Sequence, residues 1–369
     1  APFCGGGGGS GHGHRGRSTI FHVYWSALRP LHAHAVRLIG SFLATQDLTR
    51  SELWVWSPQD LSNETLVKPF AASPHVRFRR YDAVAAFEAT PLAQMLPAAI
   101  GARMARATDS RSWADSDLFR LLVLHAHGGV YIDADMLLLR DFGGLLGMEF
   151  VYSYGVDCDA PNNAVLRLHR HSATSRRLLR LVAHRINNTG PAGEAWGLAM
   201  LSAYVHETAG SGGASGGRRG ELQILPTCFF NPHWLVDIHS PGGGDARYSR
   251  PNLPVLWDGP FGMHVHGNIW RTPVHPDSDY CRASRALAAA LRARADRGVL
   301  GNSEGATWPH AVAKHVECAD GEAGSGATSE EATAKWIRPA RAAATTNALG
   351  EVRRAARSGL APRNSRILG

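Results

Sequence analysis

Residues 116–142 read "SDLFRLLVLHAHGGVYIDADMLLLRDF". The stretch opens with apolar side chains at helical spacing, breaks at Gly128 and Gly129, and continues as a run of β-branched, aromatic and aliphatic residues. Glycine ends helices because it closes the last turn in a left-handed conformation without a Cβ penalty. The pattern predicts a helix over Trp113–Gly129 and then a central strand over Val130–Arg140, with a break near two aspartates, Asp133 and Asp135.

Carboxylates in such apolar surroundings need a reason. In a strand, residues two apart point to one side, so Asp133 and Asp135 would stand together. Two like charges that close repel unless a cation lies between them. A hard divalent ion, Mn²⁺ or Mg²⁺, meets that need and keeps room in its shell for water and substrate phosphate. A D-x-D triplet alone is usually a solvated turn. Here "GGVYI" and "MLLL" bracket it with core residues, and both readings stand. Asp117 and Arg120, three apart, share a face of the preceding helix. They read either as a surface ion pair of little energetic weight or as a pair that orients the hydroxyl groups of a bound sugar.

Working outward, Thr19–Trp25, Ser51–Pro58 and His75–Tyr81 read as strands, and Leu31–Thr45 as an amphipathic helix. "EFVYSYG" and "NNAVLRL" read as further strands. Helices are expected at Thr174–Ile186 and Gly193–Val205, and late strands or loops in "ELQILPTCFFNPHW" and "FGMHVHGNIW". The strand–helix–strand rhythm predicts an α/β sheet with helices on its faces. Three segments follow from composition: a flexible Gly-rich linker over 1–18, an α/β domain over 19–285 with a Gly/Ser-rich insertion at 209–220, and a basic Ala/Arg/Gly-rich tail over 286–369.

The chain has 369 residues and a formal charge of +8, with 39 Lys and Arg against 31 Asp and Glu. That basic excess lies largely among alanines without interleaved aromatics, so specific nucleic-acid binding is not expected. No run of about 20 apolar residues could span a membrane. The chain begins at Ala1, which is compatible with a removed upstream segment such as a membrane anchor. Five cysteines without a CxxC pair argue against a zinc site and permit at most two intrachain disulfides. Sequons at Asn63 and Asn187 point, with the cysteines, toward a secretory lumen.

Taken together, Ser116, Asp117, Arg120, Gly128, Gly129, Tyr131, Asp133 and Asp135 fill the pattern S-D-x-x-R…G-G-x-Y-x-D-x-D. This stretch resembles the sugar-binding region of the DxD glycosyltransferases of family 32. That group includes α1,4-galactosyltransferases, α1,4-N-acetylglucosaminyltransferases and fungal mannosyltransferases of the Golgi. The resemblance implies a GT-A-type α/β/α sandwich, a Rossmann-like nucleotide-binding sheet with appended acceptor-side elements. It implies a nucleotide-sugar donor, UDP-linked, a glycan, glycoprotein or glycolipid acceptor, transfer with retention, and Mn²⁺ or Mg²⁺ held by Asp133 and Asp135. Asp117, Arg120, Gly129 and Tyr131 fall in its donor-binding region. "IFHVYW" resembles the family's first strand, which makes Trp25 a nucleotide platform or a core tryptophan. Asn162 and Asn163 match paired asparagines that contact donor or acceptor sugar. "FGMHVHGNIW" resembles a late segment whose histidine completes the metal shell, here His264 or His266. The rival readings are a metal-dependent phosphohydrolase or nucleotidyltransferase, and a non-catalytic basic polyanion-binding protein.

Overall fold

The computed structural model describes residues 18–26, 33–61, 64–97, 112–153, 161–189, 198–210, 222–232, 260–265 and 279–300. The Gly-rich linker, the sequon at Asn63, the Gly/Ser-rich stretch from 211, His266 and everything after 300 lie outside the described residues.

The strands are β1 (Thr19–Tyr24), β2 (Ser51–Ser57), β3 (Val76–Arg80), β4 (Gly129–Ile132), β5 (Met136–Leu138), β6 (Phe150–Ser153), β7 (Pro161–Leu168), β8 (Gln223–Leu225) and β9 (Gly262–His264). The helices are α1 (Ala33–Thr45), the short α2 (Ala83–Glu88) and α3 (Leu92–Met95), α4 (Ser112–His127), α5 (Ala173–Thr189), α6 (Leu198–Gly210) and α7 (Asp279–Asp296). Seven of the described strands form one sheet in the order β3-β2-β1-β4-β7-β6-β8. Its β1–β2, β2–β3, β1–β4 and β6–β8 pairs are parallel, and β7 runs antiparallel to β4 and β6. The expected α/β class is what forms. Among the described residues no helix is long and apolar enough to cross a membrane.

Strand periodicity divides the core into two layers. Phe21 and Val23 of β1, Leu53 and Val55 of β2, and Val130 and Ile132 of β4 pack on one face with α1 and α7. Tyr24, Trp56 and Tyr131, from the same strands, pack on the other face with α4, α5 and α6. The result is a three-layer α/β/α sandwich. Helix α4 is buried almost all round from Phe119 to His125, as a helix with apolar residues on every side must be.

Two glycines carry the chain from α4 into β4. Gly128 has φ +70° and its N–H bonds to the Leu124 carbonyl at 2.8 Å, the left-handed helix stop that the sequence predicts. Gly129 has φ +104°, and a Cβ there would lie 2.1 Å from the Ile20 carbonyl oxygen, so no other residue fits between β4 and β1. The fully buried His22 secures this turn. Its Nδ1 accepts from Trp56 Nε1 at 3.2 Å, so its Nε2 donates to the Gly128 carbonyl at 2.9 Å. Burial, with His127 and Arg79 nearby, lowers its pKa to about 3.

The strand expected over Val130–Arg140 does break at the aspartates, and its two halves belong to different sheets. It divides into β4 in the large sheet and β5, which pairs with β9 in a separate two-stranded sheet. The expected boundary between residues 285 and 286 is corrected, because it falls inside α7. Leu287, Ala288, Ala290, Leu291 and Ala295 are buried in the α1-side core, and Leu300 closes it. The arginines of this helix are half-buried, and Arg294 donates to the Leu43 and Gln46 carbonyls at the end of α1, both at 2.8 Å, while the interleaved alanines and leucines fill the core.

Leu291→Ala should therefore cost about 2–5 kcal/mol, as buried Leu truncations do. A urea melt that leaves the midpoint unmoved would return this helix to a dispensable tail. The buried neutral His22 gives a second expectation. Its folded pKa of about 3 lies below the ordinary 6.5, so the unfolded chain binds the extra proton between those values. Stability should be full above about pH 6.5 and decline on acidification toward pH 3, by up to about 1.4 kcal/mol per pH unit for this one group. Comparing denaturant midpoints of the native chain and His22→Gln across that range isolates its share, and parallel profiles would exclude it.

Candidate active site

The site lies where β4 ends and the chain leaves the large sheet. Asp133 follows β4 directly, and its N–H still bonds to the Ala164 carbonyl of β7 at 2.8 Å. The Met136 N–H then bonds back to the Asp133 carbonyl at 3.1 Å, which closes a turn over Asp133, Ala134 and Asp135. The two aspartates thus occupy a turn and not a strand. Their approach comes from the turn and from the residue that follows β9, Val265, whose N–H bonds to the Asp135 carbonyl at 3.0 Å.

Asp133 is held from the α4 side. Tyr131, one pleat earlier, donates its hydroxyl to Asp133 Oδ1 at 2.7 Å. Burial raises the Tyr131 pKa well above its ordinary value against the pull of Arg120, so the phenol remains a donor. Arg120 Nη2 lies 3.2 Å from Asp133 Oδ1 and 2.9 Å from Asp117 Oδ1. The same guanidinium donates to the Ser116 carbonyl, the Ser116 hydroxyl and the Asn163 carbonyl, at 3.0, 2.9 and 2.6 Å. It also stacks 4.3 Å above the Tyr131 ring centre. Burial disfavours its charge, but Asp133, Tyr131 and Asp117 outweigh that, and its pKa rises.

Arg120 and Asp117 therefore do share a helix face and do pair. Arg120, however, is only 2% exposed, and its donors are directed at the protein. It sits beneath the carboxylates as their support. Asp117 is more open, with 13% of its side chain exposed, and it also accepts from Asn163 Nδ2 at 2.7 Å. Asn162 turns inward and caps the Ala164 N–H at 2.9 Å.

These asparagines are brought in by an irregularity in β7. Val151 of β6 pairs with Leu166, but the next residue, Tyr152, pairs with Asn162. The intervening Asn163, Ala164 and Val165 bulge away from β6 while Val165 stays in register with β4. A bulge re-aims side chains and carbonyls, here toward Asp117, Asp133 and Arg120.

On the opposite face, His264 of β9 lies with its Nε2 3.3 Å from Asp135 Oδ1. Its N–H bonds to the Phe230 carbonyl at 2.8 Å, and its Nδ1 lies 2.9 Å from the Tyr152 hydroxyl. One ligand atom from each of Asp133, Asp135 and His264 fits within 4.8 Å of the others. Two carboxylates and an imidazole suit a divalent ion such as Mn²⁺. Trp25, expected as a nucleotide platform or a core tryptophan, is 7% exposed and packed in the α1-side core beyond β1. His125 and His127 lie in the last turn of α4. His125 bonds to Ser175 and His171 at 2.9 and 3.2 Å, and His127 packs beside Trp54. Tyr152 has a place in the site that the sequence did not suggest, since "EFVYSYG" carries no signal beyond strand alternation.

The family profile described as glycosyltransferase sugar-binding region containing DXD motif matches residues 84–152. This chain carries a glycosyltransferase region. The match spans α4, the glycine turn and both aspartates, so the enzyme class read from the same residues holds at that level. No curated protein matches the chain by sequence. Among solved structures, the PaToxG glycosyltransferase is 15% identical with a TM-score of 0.41, over 53% of this chain and 70% of that one. The glycosyltransferase GlyE of Streptococcus pneumoniae TIGR4 is 10% identical with a TM-score of 0.48, over 78% of this chain and 66% of its own. The mouse xyloside xylosyltransferase 1 is 14% identical with a TM-score of 0.43, over 70% of this chain and the whole of its own length. Likenesses at that level do not extend to substrate.

Removing the guanidinium in Arg120→Met leaves Asp117 and Asp133 facing each other without a cation. A loss of about 3 kcal/mol is expected, as for other broken buried pairs. Chemical denaturation followed by far-UV circular dichroism measures it, and a variant as stable as the native chain would strip Arg120 of its supporting role.

Proposed function

We propose that this chain is a metal-dependent glycosyltransferase that moves a hexose or N-acetylhexosamine from a UDP-linked donor to a glycan, glycoprotein or glycolipid acceptor, with retention. One observation carries the reading. Asp133 and Asp135, inside the segment that matches the DXD sugar-binding region, and His264 of β9, outside that segment, offer ligand atoms that lie within 4.8 Å of one another. Surface acids that meet by chance are not usually braced from beneath by a buried arginine and a buried tyrosine.

Within this reading the chain's residues divide the work. Asp133, Asp135 and His264 would hold Mn²⁺ or Mg²⁺. When bound, the ion supplies charge stabilisation to a departing diphosphate. Asp117, fixed by Arg120 and Asn163, offers its exposed carboxylate edge to the hydroxyl groups of the donor sugar. Fixing that carboxylate in advance lowers the entropy cost of orienting the sugar. Asn162, Asn163, Gly129 and Tyr131 shape the pocket through backbone placement and hydrogen bonding, rather than by direct grip. We assign no protein nucleophile. A secretory-lumen location is part of the proposal, supported by the disulfide at Cys281 and by the exposed Asn187 sequon in the last turn of α5.

Calorimetric titration of UDP with and without Mn²⁺ tests the reading. Mn²⁺ should strengthen UDP binding to the native chain, and Asp135→Asn should abolish that gain while the fold persists. If the Mn²⁺-dependent gain survives in Asp135→Asn, the site is not the one described. If the native chain releases phosphate from simple esters but no sugar from UDP-sugars, the phosphohydrolase reading replaces this one.

A further inference from the structure

We propose that Tyr152 is a positioning residue that sets which nitrogen of His264 is available to a cation. The inference rests on the metal-site reading above and deepens it.

Tyr152 is fully buried, and His264 is 8% exposed. The Tyr152 hydroxyl lies 2.9 Å from His264 Nδ1, and His264 Nε2 faces Asp135 Oδ1 at 3.3 Å. A neutral imidazole has one N–H and one lone pair. When the Nε2 lone pair is given to a cation, the single proton must reside on Nδ1, and the Tyr152 oxygen accepts it. When no cation is bound, the Tyr152 hydroxyl donates to Nδ1, and the proton resides on Nε2, facing the Asp135 carboxylate. The phenol serves both states because its oxygen can donate or accept. The imidazole changes tautomer and takes up no net proton. A backbone carbonyl, the common partner of metal-binding histidines, supports only the first state.

The imidazole lies between the Tyr152 hydroxyl and the Asp135 carboxylate. The His264 backbone is held by Phe230 and by pairing with Met136 of β5. The Tyr152 ring packs 5.3 Å from Phe230, which itself stacks on Phe150, so the hydroxyl cannot swing away. The β6–β7 register shift falls at Tyr152 itself. The competing view is that Tyr152 is a core tyrosine whose hydroxyl merely needs a partner.

Tyr152→Phe separates the two. Mn²⁺ alone is titrated into the full chain, and the free ion is followed by its electron paramagnetic resonance signal. Affinity should fall about 10- to 100-fold, the usual effect of losing a ligand's outer hydrogen bond, while near-UV circular dichroism is retained. Nitrogen-15 histidine spectra give a readout that a packing role would not move. His264, assigned by its loss in His264→Ala, should show the Nε2–H tautomer in the native metal-free chain and a mixture in Tyr152→Phe. A measurement on the native chain stands even if the variant fails to fold. Added Zn²⁺, a diamagnetic stand-in, should shift the His264 proton to Nδ1, and an Nε2–H that persists with Zn²⁺ bound overturns the proposal. Unchanged Mn²⁺ affinity in Tyr152→Phe, with affinity lost in His264→Ala, ends the role of Tyr152 and leaves the metal site standing. A native chain that binds no Mn²⁺, or binding that both His264→Ala and Asp135→Asn leave intact, ends the metal site and this proposal together.

Discussion

A buried guanidinium organises the end of the sheet. Arg120 joins α4 to the two segments it packs against, through Ser116 on its own helix, Asn163 on β7 and Asp133 at the end of β4. Burying a cation is costly unless its donors are satisfied and its charge is matched. Two carboxylates and the face of Tyr131 provide that match here. The same arrangement explains how acids can stand close together at the edge of an apolar core. One of them, Asp133, has Arg120 and the Tyr131 hydroxyl beneath it, and the other, Asp135, faces His264.

The site straddles the sheet. Asp133 is anchored from the α4 face through Tyr131 and Arg120. Asp135 meets His264 on the α1 and α7 face, where Tyr152 and Phe230 close around the imidazole. Strand alternation supplies both tyrosines, since Tyr131 and Tyr152 point to opposite layers from strands separated only by β7. A turn that passes from the large sheet to the small one is the simplest way to bring ligands from both layers to one point. It also couples the geometry of the acids to the pairing of β5 with β9.

Much of this was legible in the chain itself. Hydrophobic periodicity located β1, α1, β2, β3, α4, β6, β7 and α5 to within a few residues, because each buries one face or is buried outright. The left-handed stop at Gly128 followed from glycine's missing Cβ. The spacing of Asp117 and Arg120 placed them on one helix face, and they do pair at 2.9 Å. Composition misled at α7, where arginines outnumber every other charged residue but the alanines and leucines between them do the packing.

What the sequence by itself determined was the order of elements, the α/β class and the presence of two acids one residue apart in apolar surroundings, since these depend on local spacing and side-chain chemistry. What only the tertiary structure decided was how those acids meet. The division of one apolar run into β4 and β5, the β7 bulge that delivers Asn163, the approach of His264 from a segment more than a hundred residues away and the Tyr152 hydroxyl behind it all depend on pairings between distant strands. Register between remote segments is set by how whole layers pack. A linear pattern of hydrophobicity carries each strand's facing but not its partner.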